Sequence, residues 1–168
     1  ERSRRFIEQW HGHARIVPTI APHAPYTCTD TIYHEAAALC RRYGMPMTTH
    51  LSETAREVQE SRAERDATPF GYAARVGAFD VPCIAAHGVH ATEDDMILMR
   101  DHGVGVVPCP TSNLKLASGI APFRRFLEAS GYVPESERDG TGGYGYNRDY
   151  DPSTSKRGDA FEGRNPKY

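Results

Sequence analysis

Along the first 131 residues, short continuous apolar runs alternate with segments in which apolar residues recur at helical spacing. Short apolar runs predict four buried strands, near 15–21, 46–49, 81–86 and 105–107. Between and around them, apolar residues recur at helical spacing, and capping residues precede several of these segments. These segments predict helices near 2–10, 30–43, 53–65, 69–76, 92–102 and 122–129. Alternating strands and helices are typical of a parallel sheet with right-handed crossovers.

Unusual polar residues follow each predicted strand. His23 follows the first, His50 with Glu53 the second, His87 the third, and the pair 112–113 (Ser-Asn) the fourth. The carboxyl ends of parallel strands meet at one face, where (β/α) barrels keep their chemistry. We therefore predict an α/β fold, a partial (β/α)8 TIM-type barrel of about four βα units.

Several of these histidines have a second interpretation. His23 lies in a proline-rich loop, which would hold its side chain at the carboxyl end of a strand, where a site could form. It could equally be a turn residue that only caps backbone groups, and the spacing favours neither interpretation. His50 with Glu53 also fits a solvated loop. His11 and His13 form an H-x-H pair, but it precedes a strand, so we favour a polar helix end over a metal site.

The composition changes near residue 132. The stretch 132–168 is rich in Gly, Asp, Arg, Ser and Tyr and poor in aliphatic residues. We predict a partial barrel domain over 1–131 and a low-complexity, disordered tail over 132–168, although an altered reading of the gene's end would give the same composition. Because the chain starts at Glu1 and four units are half of a barrel, we expect a fragment.

Charge and cysteine content narrow the classes of function. The 168 residues carry a net charge of -2, with no basic stripe for nucleic acid and no apolar run that would span a membrane. Four widely spaced cysteines form no C-x-x-C pair, which predicts a reducing, cytoplasmic location without a disulfide framework. The expected partner is a small-molecule substrate, without nucleic acid or membrane, and a homo-oligomer is left open.

Four stretches in order carry a resemblance. PHAPYT (22–27), HLSET (50–54), AHGVH (86–90) and PTSNLKLASG (110–119) resemble the amidohydrolase superfamily. They are most similar to the methylthioadenosine/S-adenosylhomocysteine deaminase branch, with the chlorohydrolases close by. The resemblance implies a distorted TIM barrel that hydrolyses C–N bonds with one divalent metal ion, zinc, with iron as the alternative. The implied reaction is deamination of an adenosine-like nucleoside or a related amino-heterocycle.

The resemblance also assigns roles residue by residue. His50 matches a histidine metal ligand, Glu53 the proton-shuttling glutamate, His87 the histidine that orients the hydrolytic water, and His23 a substrate contact. Asp139 stands at the matching distance for the last metal ligand. The residues before it make a poor buried strand, however, so coincidence is the favoured interpretation.

The chain also departs from the family pattern. The family's H-x-H pair would lie upstream of Glu1, and Pro108 stands where many members have a histidine. Because these ligands are missing, we expect the isolated chain to be inactive. The alternatives are a catalytically inactive barrel fragment that serves assembly or binding, or a relative that removes a guanine-type amine or a ring halide.

Overall fold

The computed structural model describes residues 2–131. Among them, three strands form: β1 (Met47–Leu51), β2 (Cys83–His87) and β3 (Gly105–Val107). The α-helices are α1 (Arg2–Trp10), α2 (Asp30–Tyr43), α3 (Ala55–Arg65), α4 (Pro69–Arg75), α5 (Glu93–His102), α6 (Pro110–Lys115) and α7 (Phe123–Ala129). A 3-10 helix, Ala78–Asp80, precedes β2. The predicted tail lies outside the described residues.

The three strands form one parallel sheet in the order β1-β2-β3. In its register, His50 lies beside Ala86, and Ala86 lies beside Val107. Helices connect successive strands, as parallel pairing requires. The predicted α/β class with a parallel sheet is therefore confirmed.

The first predicted strand, 15–21, does not form. Its place is taken by a single parallel bridge between Ile20 and Met47. Pro18 has no N–H to donate to a ladder, and Val17 is 77 % exposed, so this segment lacks the burial that its apolar sequence suggested. The segment still follows β1, because the Thr48 N–H donates to the Ile20 carbonyl oxygen (3.0 Å). Residues 2–131 thus contain three strands and one bridge rather than the four strands predicted.

Helix ends follow local capping chemistry closely. Thr92 and Asp95 form a reciprocal capping box at the start of α5, and Thr68 caps α4 ahead of Pro69. Gly103 ends α5 in the left-handed conformation, as the sequence predicted. Helix α6 was not predicted, although a proline at its first position, Pro110, is a recognised helix start.

The two faces of the sheet differ in burial. On the face that packs against the helices, the residues of β1 and β2 are buried, and the hydroxyls of Tyr33 and Thr49 are hydrogen-bonded there at 2.8 Å. On the opposite face, Ile84 is 37 % exposed and Val107 is 47 % exposed. No helix in the described part of the chain is both long and apolar enough to span a bilayer.

Candidate active site

The site is built around His50, near the carboxyl end of β1. Its Nδ1 lies 2.8 Å from the backbone carbonyl oxygen of His23, and its backbone N–H donates to the same oxygen at 2.9 Å. A carbonyl can only accept, so Nδ1 carries the proton and Nε2 keeps its lone pair. This is how a backbone carbonyl prepares a histidine for metal binding.

A tight turn between β1 and α3 presents Glu53. Ser52 has a φ of +54°, in the left-handed region that non-glycine residues seldom adopt. The carboxylate of Glu57 accepts the N–H groups of Ser52 (3.0 Å) and Glu53 (2.7 Å), and Thr54 caps α3 by accepting the Glu57 N–H. Burial raises the pKa of Glu57, and these backbone N–H groups oppose that rise.

His87 ends β2 with its ring stacked on that of His50. The ring centroids are 5.3 Å apart and the planes differ by 30°. In register His87 lies beside Leu51, so strict alternation would place its side chain on the opposite face from His50. The left-handed φ of His87, +74°, breaks this alternation at the last residue of the strand. The two imidazoles therefore lie together.

Asn113 fixes the orientation of the His87 ring. Its Nδ2 donates to the carbonyl oxygen of Pro108, so its Oδ1 accepts the Nδ1–H of His87 at 2.6 Å. Both Asn113 and His87 are buried. Nε2 of neutral His87 is therefore unprotonated, and it faces Oε2 of Glu53 at 3.7 Å.

His23 lies on the exposed side of the same cluster. Its ring centroid is 4.9 Å from that of His50 and 5.7 Å from that of Tyr26. Thr27 donates its hydroxyl to the Ala24 carbonyl oxygen and accepts from Nδ1 of His23 at 2.8 Å. The Nε2 edge of this exposed ring is therefore an acceptor.

The structure brings four predicted site residues together, namely His23, His50, Glu53 and His87. The predicted ligand Asp139 lies outside the described residues. The predicted role of His13 as part of a polar helix end agrees with the structure, because its Nδ1 accepts the Arg15 N–H at 3.2 Å just after α1.

Sequence reasoning assigned no role to Glu57 or Asn113. The pattern Thr54-x-x-Glu57 is a capping-box signature and could have identified Glu57. Asn113 was noted only as an unusual polar residue after a strand. Its pairing with His87 joins positions 26 residues apart, and no local pattern reports such a contact.

The imidazole nitrogen of His50 fits the chemistry of one ligand in a metal site. His50 offers an oriented imidazole nitrogen, the type of ligand that zinc prefers. Among residues 2–131 no group of three or more His, Cys, Asp or Glu side chains is placed to hold a metal ion. Within the described residues, His50 is thus a candidate ligand, with the side chains of Glu53 and His87 close by.

Comparison with known proteins identifies the family. The model of the amidohydrolase family matches residues 1–133. The chain belongs to the amidohydrolase family. It is 41 % identical over 128 residues to 5-methylthioadenosine/S-adenosylhomocysteine deaminase of Halothermothrix orenii, covering 75 % of this chain and 30 % of that protein. The family resemblance predicted from the four motifs is confirmed.

Two solved structures share the fold at significant identity. An adenosine deaminase from Xanthomonas campestris with bound zinc superimposes with a TM-score of 0.72 at 37 % identity, covering 77 % of this chain and 29 % of that one. A guanine deaminase from C. acetobutylicum with bound guanine gives 0.70 at 27 % identity, covering 75 % and 31 %. This amidohydrolase chain therefore spans about 30 % of the length of the curated relatives it matches.

Proposed function

We propose that this chain carries part of the active site of a metal-dependent hydrolytic deaminase acting on an adenosine-like nucleoside, of the methylthioadenosine/S-adenosylhomocysteine type. One observation carries the proposal: the ring of His50, with its Nε2 lone pair free, stacks on His87, whose own Nε2 faces the carboxylate of Glu53. The names of the relatives and the zinc held by one structural neighbour support it.

In this proposal, His50 is a metal ligand through Nε2, and Asp139 is a candidate for another. A zinc ion held there would supply a water with its pKa lowered to about 7. Glu53 would accept one proton of the water and give it to the substrate ring nitrogen, and would then carry the second proton, from the added hydroxyl, to the departing amine. Water adds to the amine-bearing ring carbon and ammonia leaves, so the products are the oxo-heterocycle and NH3.

His87 and His23 have supporting roles. His87 is locked by Asn113 with its acceptor nitrogen toward Glu53, so it orients the attacking water by accepting a hydrogen bond. His23, exposed beside His50, offers an acceptor nitrogen to a hydroxyl or amine of the substrate.

The finer architecture belongs to the same proposal. Residues 2–131, with three strands and the bridge at Ile20, would supply about four βα units of a (β/α)8 barrel. The predicted tail, 132–168, lies outside the described residues. The exposed faces of Ile84 and Val107 support the partial barrel, because a closed barrel would fill that side of the sheet with side chains. We also propose that the enzyme is cytoplasmic and acts on a small-molecule substrate. Its cofactor is a divalent metal ion, zinc or iron.

The test uses a hybrid enzyme in which residues 1–131 replace the matching segment of the Halothermothrix orenii relative. We expect it to retain zinc and to release ammonia from methylthioadenosine or S-adenosylhomocysteine. The isolated 168-residue chain should release none, because a single histidine ligand does not hold a catalytic ion. Zinc content by elemental analysis and ammonia release by a coupled assay measure both.

The outcomes separate the alternatives. A hybrid that folds and retains zinc but acts on guanine or a halogenated ring assigns a different leaving group. A folded hybrid that loses zinc and releases no ammonia favours a catalytically inactive assembly module. The absence of a three-ligand group among residues 2–131 is the observation that keeps this second candidate in view.

A further inference from the structure

Glu57 is a buried carboxylate that the proposed chemistry does not use. Only 6 % of its surface is exposed, and both side-chain oxygens are occupied. Oε1 accepts the Ser52 N–H at 3.0 Å and Oε2 accepts the Glu53 N–H at 2.7 Å. Burying a charged group is unfavourable unless it is well bonded, so the arrangement needs a reason beyond helix capping.

Helix capping alone does not account for these bonds. Thr54 already caps α3 by accepting the Glu57 N–H at 3.1 Å. In an ordinary capping box the glutamate returns to the N–H of the capping residue itself. The Thr54 N–H also lowers the Glu57 pKa, as in a capping box, but the two hydrogen bonds of the Glu57 carboxylate go further upstream, to the two residues that link β1 to the helix.

The bonds fix the backbone that carries Glu53. Ser52 adopts the left-handed conformation, so its N–H and the next one point the same way, and a two-oxygen acceptor satisfies both. Immediately before this turn stands His50-Leu51, and the Gly88 N–H donates to the Leu51 carbonyl oxygen at 3.0 Å. The turn is thus held from both sides.

We propose that Glu57 is a positioning residue: its carboxylate holds the turn at Ser52 and Glu53 so that the Glu53 side chain faces Nε2 of His87. The inference rests on the proposed function, because it gives Glu57 a task only if Glu53 moves protons. Chemistry of this kind is sensitive to displacements of about 1 Å, which can cost about a hundredfold in rate.

The first test needs no activity. Amide hydrogen exchange of the 168-residue chain is compared for Glu57→Gln, Thr54→Ala and the unchanged protein. Glutamine has one acceptor oxygen for two N–H groups, so we expect the amides of Ser52 and Glu53 to exchange about tenfold faster. Thr54→Ala removes the helix cap but leaves the carboxylate, so those two amides should keep their protection. Unchanged protection in Glu57→Gln, or an equal loss throughout β1 and α3, would overturn the proposal.

The second test measures turnover in the hybrid enzyme. Glu57→Gln should lower kcat about 10- to 100-fold while KM and zinc content stay unchanged, the range seen when supporting residues are removed. Glu60→Gln, at a partly exposed carboxylate one turn further along α3 that pairs with Arg56, and Thr54→Ala should leave kcat within about twofold. If Thr54→Ala lowers kcat as much as Glu57→Gln, the role of Glu57 is only to stabilise the helix. If the unsubstituted hybrid is inactive, the proposed function fails, and the exchange experiment alone decides about Glu57.

Discussion

Strand ends and helix ends in this chain reverse direction in different ways. At the ends of α2 and α5 the left-handed residue is a glycine, Gly44 or Gly103, whereas α3 ends in left-handed Asp66. At or just after the carboxyl ends of β1, β2 and β3 it is Ser52, His87 or Cys109.

Glycine adopts the left-handed conformation without the penalty that a Cβ brings, about 1–2 kcal/mol per residue. The ends of α2 and α5 therefore avoid this penalty, whereas the strand ends, like the end of α3 at Asp66, keep a side chain at that cost. Strained backbone of this kind concentrates where side chains do chemistry, and here it places His87 against His50 and begins the turn that carries Glu53.

The largest expected effect comes from substituting the polar side chains at the end of β1. In the hybrid enzyme, Glu53→Gln keeps its shape but cannot accept a proton, so turnover should fall about 100- to 10,000-fold while zinc content is unchanged. His50→Ala should lower zinc content and turnover together, because a metal ligand is lost. Elemental analysis beside steady-state rates measures both. Loss of zinc in Glu53→Gln to the extent seen in His50→Ala would show that Glu53 is not a proton shuttle.

The next effect compares two left-handed glycines, so that the cost of steric crowding to stability is separated from the cost of backbone conformation. A Cβ on Gly88 (φ +60°) would lie 2.9 Å from Cζ of Phe126, whereas a Cβ on Gly44 (φ +61°) meets nothing within 4 Å. Gly44→Ala should therefore cost about 1 kcal/mol, and Gly88→Ala about 1–3 kcal/mol more. Urea unfolding of the 168-residue chain gives both values. Equal losses would mean that Phe126 moves aside freely.

A smaller effect isolates the cost of keeping a side chain at the end of β2. His87→Gly and His87→Ala both remove the hydrogen bond to Asn113, so their difference reports the left-handed backbone. We expect His87→Gly to be more stable than His87→Ala by about 1 kcal/mol, measured by the same urea unfolding. If alanine is equally stable, the backbone at residue 87 relaxes once the imidazole is gone.

The smallest effect concerns the buried side of the sheet. Burial raises the pKa of the Cys40 thiol to about 11 and that of the Cys83 thiol to about 12, so both stay protonated at pH 8. The thiolate is the reactive form, so iodoacetamide at pH 8 should label the partly exposed Cys28 and Cys109 well before the other two. Peptide mass mapping over time measures this order. Simultaneous labelling of all four thiols would show that the core opens readily.

The local sequence by itself determined most element boundaries. Capping threonines set the starts of α4 and α5, and glycines set the ends of α2 and α5, because those choices are made by hydrogen bonds within one turn. It also determined that His23, His50, Glu53 and His87 would converge, because parallel strands bring their carboxyl ends to one face. The strand predicted at 15–21 was wrong, since apolar composition there did not provide partners for its backbone.

Only the tertiary structure decided how those side chains meet. The proton on His50 is placed at Nδ1 by a carbonyl 27 residues away, and that on His87 by Asn113, 26 residues away. The left-handed backbone at Ser52 and His87 depends on contacts between neighbouring strand ends, which no periodicity in the sequence records. The residue types and their order specify the chemistry that is available, whereas packing between distant segments fixes the tautomers and distances that make it usable.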